Sequence, residues 1–160
     1  MTRAVLPLIA LLMLCAPATA RDSLGVYSNW AAFRDDSPSR CYAIAKPSRG
    51  SDAGPFASVA TWPERDLRGQ LHIRLSRDTD SDANTTLSIG GDEFELVAKG
   101  RNAWAKDNAM DAAIVAAMRS ASRMTVASRG SNGARFSDRY SLSGAATAMD
   151  AAVVGCATRG

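Results

Sequence analysis

Histidine is all but missing from this 160-residue chain, where His72 stands alone. A hydrolase working through a histidine general base, or a zinc site built from several histidines, would have to rest on that single residue. No Gly-x-Ser-x-Gly turn, Ser-x-x-Lys pair or Cys-x-x-Cys motif occurs, so the common nucleophile and redox signatures are absent. There is no phosphate-cradling glycine loop of the Walker or dinucleotide type, and no cofactor is expected. Lysine is scarce, three residues against sixteen arginines, and the formal net charge is only +3. That balance gives no reason to expect a nucleic-acid partner. No apolar run reaches the roughly 20 residues that a membrane-spanning helix needs.

What is present begins at the N-terminus. Arg3 precedes an apolar run over residues 4–15, and Ala18-Thr19-Ala20 follows as a small-residue cleavage signal. Residues 1–20 thus read as a cleaved export peptide, and residues 21–160 as one domain, soluble and periplasmic, of a size able to bury a core. A lipoprotein would use Cys15, but Leu14 stands where such signals want a small residue. Processing leaves two cysteines, Cys41 and Cys156, in an oxidising compartment, so a disulfide between them is expected. A reactive thiol would want a neighbouring base, and the flanks Arg40 and Tyr42 supply none.

The mature chain reads as mainly β. Apolar residues run through 24–33, and the cluster Asp35-Asp36-Ser37-Pro38-Ser39 breaks the segment as a turn. Residues 41–46 resume as a strand, residues 47–55 form a loop, and residues 56–62 form another strand closed by Pro63. Over residues 70–77, Leu71, Ile73 and Leu75 alternate with His72, Arg74 and Ser76, the pattern of a strand with one buried and one wet face.

Two hairpins have registers that can be worked out. With Gly90 and Gly91 as a two-residue loop, Ile89 faces Asp92, Leu87 faces Phe94 and Thr85 faces Leu96, which puts the apolar pair on one face and Glu93 and Glu95 on the other. In the second, a two-residue Asn132-Gly133 loop would set Val126 against Arg139. A three-residue loop, Ser131-Asn132-Gly133 with Gly133 left-handed, instead pairs Val126 with Asp138 and Met124 with Tyr140. Between the hairpins, Asp107 or Asn108 caps a helix with Met110, Ile114, Val115 and Met118 as its apolar stripe. A C-terminal helical segment over residues 144–156 is expected to turn Met149, Val153 and Cys156 inward.

Candidate sites are few. His72 is accounted for as an outward strand residue; the catalytic alternative is a periplasmic enzyme centred on it and on the acidic loop of Asp78, Asp80 and Asp82. Those aspartates alternate like the start of a calcium loop, but its sixth and twelfth positions hold Ala83 and Ile89 rather than Gly and Glu, so no metal site is expected. The second hairpin displays Arg123, Arg129, Arg135 and Arg139 on the face opposite Met124 and Val126, with Arg129 directly across from Arg135. Like charges so placed repel, and an anionic partner would relieve them, since guanidinium forks suit carboxylate and phosphate groups. Neutralisation by acidic side chains elsewhere would explain the same residues without any ligand.

Gly25-Val26-Tyr27-Ser28-Asn29-Trp30, Cys41-Tyr42-Ala43-Ile44, Ile89-Gly90-Gly91, Ala117-Met118-Arg119 and Tyr140-Ser141-Leu142-Ser143-Gly144, followed by Cys156, resemble the invasion-associated locus B family of exported bacterial proteins. The likeness covers most of the mature chain and rests on the order and spacing of these segments. It implies an immunoglobulin-like β-sandwich of the periplasm or cell envelope with no established catalytic centre, here carrying one helix packed on the sheet and a C-terminal helical segment. The expected function is therefore non-catalytic binding of a protein or an anionic envelope component. A structural or stress-related protein without a specific ligand is the remaining alternative.

Overall fold

A computed structural model of the chain describes residues 21–49 and 54–157. The expected export peptide, residues 1–20, lies outside them. Among the described residues, ten strands and two α-helices follow in order: β1 (Asp22–Tyr27), β2 (Trp30–Asp36), β3 (Ser39–Ala45), β4 (Phe56–Trp62), β5 (Leu67–Arg74), β6 (Thr85–Ile89), β7 (Asp92–Lys99), β8 (Asn102–Trp104), α1 (Asn108–Ser120), β9 (Arg123–Arg129), β10 (Arg135–Ser141) and α2 (Ala145–Ala157), with a 3-10 turn at Pro63–Arg65. The mainly β expectation holds. The strands form one antiparallel sheet in the order β1-β2-β3-β4-β5-β8-β7-β6-β9-β10.

That sheet makes its two layers by folding over, with β7 common to both. Residues 92–96 of β7 pair with β6, and residues 97–99 pair with β8. Although β2 and β10 stand far apart in strand order, Trp30 Nε1 donates to Ser141 O at 2.9 Å, and the backbone N–H groups of Asn29 and Ser48 donate to Ser143 O and Arg139 O. Only a strongly curled sheet brings those positions together. Leu71, Ile73 and Leu75 from one half and Leu87, Ile89, Met124, Val126 and Tyr140 from the other then share one core, with Trp30 fully buried.

Both hairpin registers form as read. Thr85, Leu87 and Ile89 face Leu96, Phe94 and Asp92. Val126 faces Asp138, Met124 faces Tyr140 and Arg129 faces Arg135, around a turn in which Gly133 has φ +77°. Other segments differ. The stretch 24–33 is not continuous: it reverses at Ser28-Asn29, with Ser28 at φ +56°. The strand read at 70–77 runs three residues earlier, as β5, and Leu75 stays buried just beyond its end.

Asp107 caps α1, its carboxylate accepting from Met110 N at 2.8 Å, while Ile114 and Met118 face the core. Asp111 on the same helix accepts from Leu71 N at 2.8 Å, a β5 donor that lies just outside the β5–β8 pairing. Burial pushes the Asp111 carboxyl above the usual carboxylate range, partly offset by that hydrogen bond. In α2 the inward face is Ala145, Ala148, Met149, Ala152 and Gly155, while Val153, expected inside, is exposed. Small residues let this helix lie close on β2 and β3, and at Gly155 Leu24 comes so near that a Cβ would stand 2.5 Å from its methyl carbon. The buried residues recur at i, i+3, i+4, i+7 and i+10, and Val153 falls outside that stripe.

The Tyr140 hydroxyl is buried and has no hydrogen-bond partner among the described residues. Burial pushes its pKa far up, with Asp138 adding to the effect. A buried hydroxyl without a partner carries its desolvation cost uncompensated. Tyr140→Phe is therefore expected to leave stability unchanged or raise it by up to about 1 kcal/mol, read as the urea unfolding midpoint. A loss of more than about 1 kcal/mol would reveal a hydroxyl that does bond.

Candidate functional site

Alternation along β9 and β10 sets the arginine face. Met124, Val126, Asp138 and Tyr140 are buried, and Arg123, Arg129, Arg135 and Arg139 point the other way and are exposed. The four do not form one cluster. Arg129 and Arg135 sit opposite each other next to the turn, where Arg129 donates through Nη1 to Gly133 O at 2.8 Å. Arg123 and Arg139 lie at the far end of the hairpin, opposite Ser141 and Thr125.

At that far end the chain after β3 contributes a residue that sequence reasoning did not single out. Ser48 is tied by its backbone to Arg139, and Arg49 follows it. Arg49, Arg123 and Arg139 line a concavity of about 620 Å³ together with the hydroxyl-bearing Ser122, Ser137 and Ser141. Among the described residues, no carboxylate lines it. Among the described residues, none of these three arginines makes an ion pair.

Cys41 and Cys156 are bonded, joining β3 to α2 with their Cα atoms 5.8 Å apart. Cys41 is fully buried, as a structural staple should be.

His72 is not a bare exposed strand residue. On the outer face of β5 it is half-buried, packed edge-on by Phe56 and stacked on Trp104 at 5.5 Å, with Nε2 3.0 Å from Asn102 Oδ1. These rings belong to a trough of about 490 Å³ whose walls also include Arg21, Arg40, Tyr42, Trp62 and Gln70. The acidic loop does not join it. Asp78, Asp80 and Asp82 lie against the β9–β10 turn, where Ser131 N donates to Asp78 O and Asp80 N donates to Arg129 O. Asp80 Oδ1 accepts from Asp82 N at 3.0 Å, so one of these carboxylates is spent on its own turn. Among the described residues, no group of three or more His, Cys, Asp or Glu side chains could hold a metal ion. None of the helices described is long and apolar enough to cross a membrane.

An alternating ladder borders the trough. The Arg21 guanidinium lies over the Phe33 and Tyr42 rings, that of Arg40 over Tyr42 and Trp62, and that of Arg65 over Trp62, at 4.8 to 5.8 Å from the ring centroids. Such contacts fix rings and cations in place together. Burial and the nearby Asp35 carboxylate push the Tyr42 hydroxyl above its ordinary pKa, against the lowering by Arg21 and Arg40.

A family model described as Invasion associated locus B (IalB) protein matches residues 34–153. Among curated proteins and solved structures, nothing matches.

Proposed function

The chain belongs to the invasion-associated locus B family, and from that premise we propose that it is an exported, non-catalytic protein of the bacterial periplasm or cell envelope that binds an anionic envelope component through the β9–β10 face. The observation that carries this reading is the gathering of Arg49, Arg123 and Arg139 around one concavity with four serines and, among the described residues, no carboxylate. Guanidinium forks with adjacent hydroxyl donors suit phosphate and carboxylate groups. The staple from β3 to α2 and the N-terminal leader pattern both suit an oxidising destination outside the cytoplasm.

A non-catalytic role is supported by how the chemistry-bearing side chains are used. The single histidine is engaged by two rings and an amide, and the acidic loop is knit into the neighbouring turn. Ser58, directly opposite His72 on β4, turns its hydroxyl to the His72 backbone carbonyl rather than to the ring.

Binding to phosphatidylglycerol vesicles, with phosphatidylcholine vesicles as the neutral control, tests the proposal. Each basic residue near an anionic surface contributes about 1 kcal/mol, so reversing Arg123 and Arg139 to Glu is expected to weaken binding at least about tenfold at low salt. Reversing Arg129 and Arg135 is expected to have the smaller effect, because Arg129 is already held by Gly133 O. Physiological salt should shrink both differences. Vesicle binding that ignores both reversals at both salt concentrations would remove the β9–β10 face as the site.

A further inference from the structure

The trough around His72 lies on other strands and has other chemistry. We propose that it binds an acidic oligosaccharide, with sugar rings resting on its aromatic walls and a sugar carboxylate held by Arg40 and Arg21.

The floor comes from β4, whose outward positions are Phe56, Ser58, Ala60 and Trp62. The two small residues sit low between two large rings, which are about 20 Å apart at the strand rise of roughly 3.3 Å per residue. Along one side, β3 supplies Tyr42; along the other, β5 and β8 supply Gln70, His72 and Trp104, with His72 directly opposite Trp104. The volume of about 490 Å³ falls within the range of small-ligand sites.

Three features select the ligand. First, the walls are held in position before anything binds. A register shift between Ala60 and Trp62 re-aims the tryptophan, Trp62 Nε1 donates to Gln70 Oε1 at 3.0 Å, and the His72 ring is fixed by Asn102 and Trp104. With its oxygen so used, Gln70 keeps its amide N–H groups for a ligand acceptor. Ring faces beside planar donors match a sugar, which has a flat C–H face and a rim of hydroxyls.

Second, the charge is one-sided. Among the described residues, the lining holds two guanidiniums and no carboxylate. Asp35, which touches both, is shared between them: Arg21 Nε reaches one oxygen at 3.2 Å, and Arg40 Nε and Nη2 reach the other at 2.9 and 2.8 Å. One carboxylate for two cations leaves a positive charge over, and an acidic sugar supplies its complement.

Third, the trough lies in the middle of the sheet. There β4 and β5 each have paired strands on both sides, so an added peptide strand finds no ladder to join. Single-stranded nucleic acid would want a row of cations following its phosphates, whereas here both lining cations converge on a single aspartate.

The test is fluorescence titration of the purified protein with tetragalacturonate. Trp62 and Trp104 line the trough, and the buried Trp30 serves as an internal constant. Tetragalacturonate is expected to give a saturable change, and neutral cellotetraose to bind at least about fivefold more weakly. Trp104→Ala should weaken tetragalacturonate binding at least about tenfold. Arg40→Gln should abolish the preference for the acidic sugar. Ser58→Leu fills the floor from the outer face without touching the core, and should block binding while leaving the circular dichroism of the native fold. Reversal of Arg123 and Arg139 should leave the titration within about twofold of wild type, which separates this site from the β9–β10 face. The proposal is overturned if tetragalacturonate gives no saturable change, if Ser58→Leu binds as wild type does, or if an acidic proline-rich peptide or an oligothymidylate binds more tightly than the sugar.

Discussion

Replacing both Cys41 and Cys156 with alanine is expected to lower the unfolding free energy by about 4 to 5 kcal/mol, the loop-closure value for cross-linked positions so far apart in sequence. The bond spans 115 positions and reaches from a buried site on β3 to the last turn of α2. It therefore restricts nearly the whole unfolded chain. Domains of this size are stable by only about 5 to 15 kcal/mol, so a large share of the total is at stake. Urea unfolding of the wild type with and without reductant measures the effect, and the double alanine variant supplies the control that reductant should not change. A midpoint shift worth less than about 1 kcal/mol on reduction would show that the bond adds little to what packing already does. Because α2 holds its place through small side chains, its amide protons should also lose protection before those of β5 and β9.

Gly144→Ala is expected to cost about 4 kcal/mol. Gly144 links β10 to α2 with φ +85°, and a Cβ there would stand 1.8 Å from Tyr27 O. The neighbour is backbone, held in the turn where Asn29 N donates to Ser143 O and the Ser28 and Ser143 hydroxyls meet at 2.9 Å. It cannot swing aside as a flexible side chain would. Gly133→Ala provides the comparison, since Gly133 also has positive φ, +77°, but nothing within 4 Å of the added carbon. That variant should lose only about 1 kcal/mol, the cost of the backbone conformation alone. Equal losses at the two glycines would mean that the contact with Tyr27 contributes nothing.

Local chemistry made the hairpins legible. Gly90-Gly91 and Gly133 fix turn geometry, and only one register then keeps Leu87 with Phe94 and Val126 clear of Arg139. Asp107 and the stripe of Ile114 and Met118 identified α1 in the same way. The turn at Ser28-Asn29 carries no glycine, so the positive φ at Ser28 left no mark in the sequence. Strand β8 has three residues, too few to show alternation, and its place beside β5 depends on a long-range pairing. That pairing hid the trough. Of Tyr42, Trp62, His72 and Trp104 only His72 was read as an outward residue, and the four meet only once β3, β4, β5 and β8 are in order. The arginine face was readable because both its strands are neighbours in sequence, while Arg49 was not, because it arrives on a loop from the other half of the sheet.

The curl that brings Asn29 and Ser48 onto the end of β10 also protects the molecule from its own kind. An outermost strand with unused N–H and C=O groups invites pairing with another chain and, eventually, fibrous aggregates. On β10, Arg139 O is occupied by Ser48 N, with Ser143 O just beyond the strand taken by Asn29 N. The opposite outermost strand, β1, is interrupted by a register shift between Ser23 and Gly25, where Gly25 has φ +138°. Irregular backbone of that kind spoils a template for stacking. One flank of the sheet is thus partly closed by the chain's own backbone and the other is bent out of register.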